Sequence, residues 1–231
     1  MTRPLLALVA FLAVPAAANE RGFAVADFSR IRVEGPYQVI VATGGRAAVT
    51  AEGSARDLAG ILLRVDAGTL SIRPSNREAA TDGPITFRVA APGLTAATLV
   101  GEGALRIDRM AGDDVRITLN GTGELEVGTV AADRLSAMAT GTGRMALGGQ
   151  VRRALVGSID APRIDGDGLV VRDLAINAQG GGALSLRATE TARVIAVGPA
   201  VVAVRGSAKC TVSGQRADVQ CGDDAAPASQ F

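Results

Sequence analysis

The chain has 231 residues, 29 of them glycine, with aromatics at only 3% and no histidine or tryptophan. Without histidine there is no Ser-His-Asp or Cys-His nucleophile, no imidazole base and no His-ligated zinc. Its 24 basic and 23 acidic residues leave a formal charge of +1, with Lys209 the one lysine, so the overall balance gives no reason to expect a nucleic acid or an anionic membrane as partner.

Residues 1–18 carry Arg3, the apolar run from Leu5 to Val14 and the small-residue end Pro15-Ala16-Ala17-Ala18. That pattern predicts a secretory signal peptide cut after Ala18; an uncleaved anchor is the alternative. The apolar run falls short of the roughly 20 residues a membrane span needs, and no later run is longer. Cleavage removes only Arg3 from the charge count, leaving 23 groups of each sign. The remaining length suits one core, and a single domain is expected over residues 22–222.

The first third reads as strands broken by turn residues. Ile31 and Val33 alternate before Gly35-Pro36, Val39 and Val41 after it, and Gly44-Gly45 separates these from a strand at 48–51. Ser54, with Asp57 three residues on, predicts a capped helix over 55–62 that covers one face or end of the sheet with Leu58, Ile61 and Leu62. Leu63-Arg64-Val65 and Leu70-Ser71-Ile72 around Ala67-Gly68 predict a hairpin, 76–84 a loop, and 85–90 a further strand.

A repeat then takes over. Gly101-Glu102-Gly103, Gly121-Thr122-Gly123 and Gly141-Thr142-Gly143 recur every 20 residues, each followed by apolar residues two and four positions on: Leu105 and Ile107, Leu125 and Val127, Met145 and Leu147. Alternation also precedes each triplet, as in Val115, Ile117 and Leu119. A fixed period of this length marks a stacked-repeat fold, and alternation of period two marks strands. Asp160 and Pro162 stand where glycines would in a degenerate turn. The frame returns at Gly180 and Gly182, and is read once more with Gly206 as the turn between Ala200, Val202, Val204 and Ala208, Cys210, Val212. The expected fold is all-β: a parallel β-solenoid (β-helix-like) of about 20-residue coils with an N-terminal strand-rich cap and an aliphatic interior. Cys210 and Cys221 predict a disulfide that staples the far end in an oxidising compartment, against a reading as two buried thiols. Residues 223–231 predict a disordered tail.

The string Phe28-x-x-Ile31-x-Val33-x-Gly35-Pro36-Tyr37-x-Val39-x-Val41, then Leu70-x-Ile72 and the glycine-rich coils from Val100, resembles the bacterial exported proteins described as putative auto-transporter adhesins with a head GIN domain, over residues 28–212. The resemblance implies a β-solenoid exported to the envelope, adhesin-like, with no catalytic residues to carry over.

Sharper chemical readings are weaker. The glycine triplets are followed by strands, not by a helix N-terminus, so they do not form a phosphate loop. Asp165-Gly166-Asp167-Gly168 and Gly112-Asp113-Asp114 offer hard oxygen ligands for calcium, but lack EF-hand or nonapeptide spacing and read as solvated turns. A carbohydrate-active β-helix enzyme, a polysaccharide lyase or glycosidase, would draw on Asp160, Arg163, Asp165, Asp167 and Arg172. Outward ladders such as Ala104, Glu124, Arg144 mix charge signs and show no acidic cleft. No catalytic, cofactor or metal residues are therefore assigned. The expected protein is non-enzymatic, placed in the periplasm or on the cell surface, and binds a protein or glycan through a flat solenoid face.

Overall fold

The computed structural model describes residues 19–75 and 83–222. The expected signal peptide at 1–18, most of the expected 76–84 loop and the tail expected at 223–231 lie outside the described residues. Strand β1 (Asn19–Phe23) comes first, followed by β2 (Arg30–Glu34), β3 (Gln38–Thr43) and β4 (Ala48–Gly53). In β2 and β3 every second side chain is buried, Ile31, Val33, Val39 and Val41 among them, as strand periodicity demands of a half-buried sheet.

Helix α1 (Ala55–Ala59) is shorter than the sequence suggests. Ser54 caps it, accepting from the Asp57 N–H at 3.1 Å and donating to the Asp57 carboxylate at 2.6 Å. Gly60 ends it, and Ile61 and Leu62 leave the helix to begin β5 (Ile61–Asp66). Their β-branched and neighbouring apolar character serves the antiparallel hairpin that β5 makes with β6 (Thr69–Pro74). Strands β7 (Thr86–Ala91) and β8 (Ala96–Val100) follow.

Five long strands then wind around the axis: β9 (Ala104–Gly121), β10 (Glu124–Gly141), β11 (Arg144–Asp160), β12 (Arg163–Gly180) and β13 (Ala183–Val197). Each pairs in parallel with the next, so Leu105, Leu125, Met145, Ile164 and Leu184 stack one above another, all at most 1% exposed. The terminal rung is built from β14 (Val201–Arg205) and β15 (Lys209–Gln215), with β16 (Asp218–Cys221) beyond β14. Each inward Val, Leu, Ile or Met side chain contributes roughly 1.5–3 kcal/mol by burial, and stacked coil on coil they make a continuous dry interior.

The first third is less separate than its sequence texture suggests. β2 and β3, with Gly35 at φ +114° between them, form a rung like the later ones: β2 pairs with β8, and β3 with the start of β9. β6 and β7 form a further rung outside it. Beyond that, β4, β5 and β1 add antiparallel strands, and α1 places Leu58 over the end of the core. The aromatic packing sits here: Tyr37 and Phe87 meet edge to face, centroids 5.5 Å apart. Burial pushes the Tyr37 hydroxyl pKa up.

Glycine is needed where the coils turn. Gly101, Gly121, Gly141 and Gly180 all have φ between +101° and +125°, a region that penalises a Cβ. The turns also bond to one another, with the Gly123 N–H donating to the Gly101 carbonyl at 2.8 Å and the Gly143 N–H to that of Gly121 at 3.0 Å. Asp160 occupies the same register between Gly141 and Gly180 and adopts φ +71°, so the degenerate turn keeps the geometry with a residue that tolerates it.

The last coil corrects the frame read from the sequence. Val202 and Val204 lie beside Leu184 and Leu186, after a turn at Gly198-Pro199-Ala200, whereas Cys210 and Val212 lie beside Ala192 and Val194. Gly206 is not the turn between matched halves. The spacing has shortened: Ala104 sits beside Glu124, a step of 20, but Ala183 sits beside Val201 and Thr191 beside Lys209, a step of 18. Register shifts around Gly166–Val170 and Val171–Asp173 absorb the difference.

One inward position is polar. Ser158 is 1% exposed, between Ala139 and Ala178 in the ladder, and its hydroxyl has no hydrogen-bond partner among the described residues. Ser158→Ala removes that unsatisfied group without changing the ladder's shape, and urea denaturation is expected to show a gain of about 1 kcal/mol. A loss of stability would mean that the hydroxyl is satisfied.

Candidate functional site

Of the five residues of the enzyme reading, Arg163, Asp165 and Asp167 line one small cleft, and Asp160 and Arg172 are not part of its lining. Asp160 lies at the turn that ends β11, and Arg163 opens β12 beside Arg144 and Ala183. Asp165 pairs with Arg144 at 3.8 Å, and its Oδ1 accepts from the Asp167 N–H at 3.3 Å. Asp167 accepts from the Ser185 hydroxyl at 2.5 Å and pairs with Arg205 at 3.5 Å. Arg172 sits around the next bend, against Glu190 at 3.0 Å. The cleft beside Asp165 and Asp167 encloses about 20 Å³, too small for a sugar ring. Among the described residues no three Asp, Glu or Cys side chains are grouped to hold a metal ion. Of the Gly112-Asp113-Asp114 segment, Asp114 is taken up by Arg134.

The two flat faces of the solenoid differ in chemistry. On the face that follows each glycine turn, outward positions are laced by ion pairs: Arg106 reaches Glu124 at 3.7 Å and Glu126 at 3.4 Å on the next rung, and Arg88 reaches Glu52 at 3.1 Å. These exposed pairs keep the face soluble and add little stability.

The face that precedes each turn is different. From β8 to β15 its outward ladders hold Thr98 beside Thr118, Asn120 beside Thr140, and otherwise mostly aliphatic or amide side chains; Arg116 and Arg193 at the margin are its charges. Met138, Leu155, Ile159, Ile195 and Val197 are all exposed here, from 40% to 55%. The Met138 thioether lies over Gly157, which leaves a depression of about 240 Å³ bounded by Ile159, Asn177 and Ile195. Apolar side chains collected on one flat surface mark a contact face more than a solvated one.

A groove runs along the margin of this face, parallel to the solenoid axis, with a volume of about 910 Å³. One wall is the ladder Asp114, Arg134, Arg153, Asp173, Thr191, Lys209, in register from coil to coil. The other carries Arg116, Ser136, Leu155, Ala175 and Arg193. Arg134 makes two hydrogen bonds to Asp114, that from Nη2 at 2.7 Å, and they hold the Asp114 carboxyl below its ordinary range. Thr191 donates to Asp173 at 2.8 Å.

The family model for "Putative auto-transporter adhesin, head GIN domain" matches residues 27–208. The chain belongs to this family. Solved structures share its fold: a putative adhesin from Bacteroides fragilis aligns with a TM-score of 0.79 at 18% identity, covering 89% of this chain and 96% of the other. A putative lipid binding protein from Parabacteroides distasonis aligns at 0.69 with 16% identity, covering 88% and 96%. A putative adhesin from Parabacteroides merdae aligns at 0.67 with 14% identity, covering 88% and 95%. No curated protein matches the chain. Among the described residues no helix is long and apolar enough to cross a membrane.

The disulfide is present: Cys210 and Cys221, Cα atoms 6.5 Å apart, join β15 to β16. The groove was missed in the sequence. Its signal was there, since Asp114, Arg134, Arg153 and Asp173 recur at nearly one-coil intervals, but the offsets compared on either side of the glycine triplets stopped short of that column.

Proposed function

We propose that this head GIN domain protein is a non-enzymatic, exported module of the cell envelope or surface that attaches to a partner through the face preceding its glycine turns. The observation that carries this reading is the collection of five exposed aliphatic side chains on a rigid parallel sheet, whereas the opposite face is laced from rung to rung by ion pairs. A surface fixed by backbone pairing on every rung is preorganised, so little ordering entropy is lost on contact. The disulfide suits an oxidising compartment outside the cytoplasm. The family and neighbour descriptions as adhesins agree with the same reading.

Fractionation of the native host, followed by retention of the purified protein on washed envelopes, tests it. Ile159→Asp with Ile195→Asp is expected to lower retention about a hundredfold or more at an unchanged melting temperature, since two fully buried aliphatic contacts are worth a few kcal/mol. Cytoplasmic residence, or equal retention by the double variant, would overturn the proposal. Turnover of a polysaccharide lost on changing Asp165 and Asp167 would establish the enzymatic alternative instead.

A further inference from the structure

We infer that the marginal groove is a binding site for an extended, carboxylate-bearing polysaccharide. This rests on the reading of the protein as an envelope-binding module and names the ligand class.

The groove crosses seven rungs, from Thr95 to Lys209, and six rung spacings of about 4.8 Å make it roughly 29 Å long. It is open at the side and narrow, a shape for a linear chain rather than a compact molecule. Although the whole protein is nearly neutral, Arg116, Arg134, Arg153, Arg193 and Lys209 line this strip against only Asp114 and Asp173. Asp114 is occupied by Arg134, and Asp173 pairs with Arg172 at 3.6 Å, outside the groove. Arg116, Arg153, Arg193 and Lys209 have no salt-bridge partner among the described residues. On the opposite face Arg106 and Arg144 are ion-paired with carboxylates of neighbouring rungs.

Stacking fixes where these cations stand. Arg134 and Arg153 are register partners on adjacent rungs, so their side chains point the same way about 4.8 Å apart at the backbone. Arg116 and Arg193 rise from the facing wall, one rung before Arg134 and two rungs after Arg153. A chain lying in the groove therefore meets a cation on one wall or the other at five of the seven rungs. Guanidinium groups favour planar carboxylates through paired hydrogen bonds.

The carboxylates and hydroxyls choose between polyanions. Asp173 and Thr191, whose hydroxyl proton is already donated to Asp173, present hydrogen-bond acceptors, which sugar hydroxyls satisfy and a phosphodiester backbone, having no donors, cannot. Among the described residues the groove has no aromatic side chain on which a base could stack, and single-stranded nucleic acid depends on such platforms. Leu155 and Ala175 on the second wall fit the apolar faces of sugar rings.

Affinity electrophoresis and calorimetry with polygalacturonate, neutral dextran and single-stranded DNA test this directly. Polygalacturonate is expected to retard the protein and dextran is not; raising salt from 50 to 500 mM is expected to weaken binding. Arg153→Ala with Arg193→Ala is expected to reduce affinity for polygalacturonate about tenfold at an unchanged melting temperature, and Arg88→Ala with Arg106→Ala on the other face to leave it unchanged. Equal binding by the groove variant, equal binding of dextran, or tighter binding of DNA would overturn the inference. A protein that still holds envelopes through Ile159 and Ile195 but ignores polygalacturonate would overturn this inference alone.

Discussion

Gly123→Ala is expected to destabilise the protein by about 3 kcal/mol or more, because the new methyl has nowhere to go. A Cβ at Gly123 would lie 2.4 Å from the Gly103 carbonyl oxygen, 3.0 Å from that of Gly101 and 3.1 Å from a Leu99 methyl. Two of those three neighbours are backbone, held by the hydrogen bonds that tie one turn to the next, so the clash is relieved only by parting two rungs. Gly22→Ala is the control: nothing lies within 4 Å of a Cβ there, and denaturation should change by less than about 0.5 kcal/mol. Gly44→Ala separates the two demands on glycine. Its surroundings are open but its φ is +96°, so it carries conformational strain of about 1 kcal/mol without collision. Urea melts of the three variants order them Gly123, Gly44, Gly22. If Gly123→Ala behaved like Gly22→Ala, the coils could not be stacked as closely as described.

Cys210→Ser is expected to cost about 3 kcal/mol, the chain-entropy value for a loop this short. The loss should be local. In a stack where each rung touches only its neighbours, loosening the last one leaves the middle intact. Amide exchange in β15 and β16 is expected to speed up about 100-fold, the kinetic equivalent of that energy, while β9 to β11 change little. The bridge ties the terminal rung to the strand beyond it: Cys210 on β15 continues the inward ladder of Ala192, and Cys221 on β16 that of Val204. Val212, in the column of the fully buried Val194, is 49% exposed, so packing alone does not close this end. Unchanged exchange in β15 would show that the staple is not what holds it.

The solenoid was legible because its two signals are local and repeated. A glycine at each turn and an aliphatic residue at every second position need no knowledge of distant partners, and Leu105, Leu125 and Met145 stack as their spacing predicts. What was hidden depended on contacts the spacing does not encode. The rung made by β2 and β3 is inserted between β7 and β8, out of chain order, and no period in the sequence reveals a crossover. The frame of the last coil was misplaced because Gly206 and Gly198 both have positive φ, and a glycine at either bend looks alike in one dimension. The candidate acidic residues were read singly. Asp165 and Asp167 are spent on Arg144 and Ser185, about one turn away in sequence on neighbouring coils, and on Arg205, about two turns away. The cationic groove is the converse case: its charges are scattered along the chain and gathered only by winding.

The shortening of the coils from 20 residues to 18 makes the protein a tapered tube rather than a uniform one. A smaller circumference encloses less room, and the filling follows suit: β9 points Met110, Ile117 and Leu119 inward where β13 offers Ala188, Val194 and Ala196. Segments from the wide and narrow ends are therefore not interchangeable parts. An extra copy of the β9 segment spliced beside its original would find a circumference of its own length, whereas the same segment spliced after β13 would bring bulk to a place too slender to hold it.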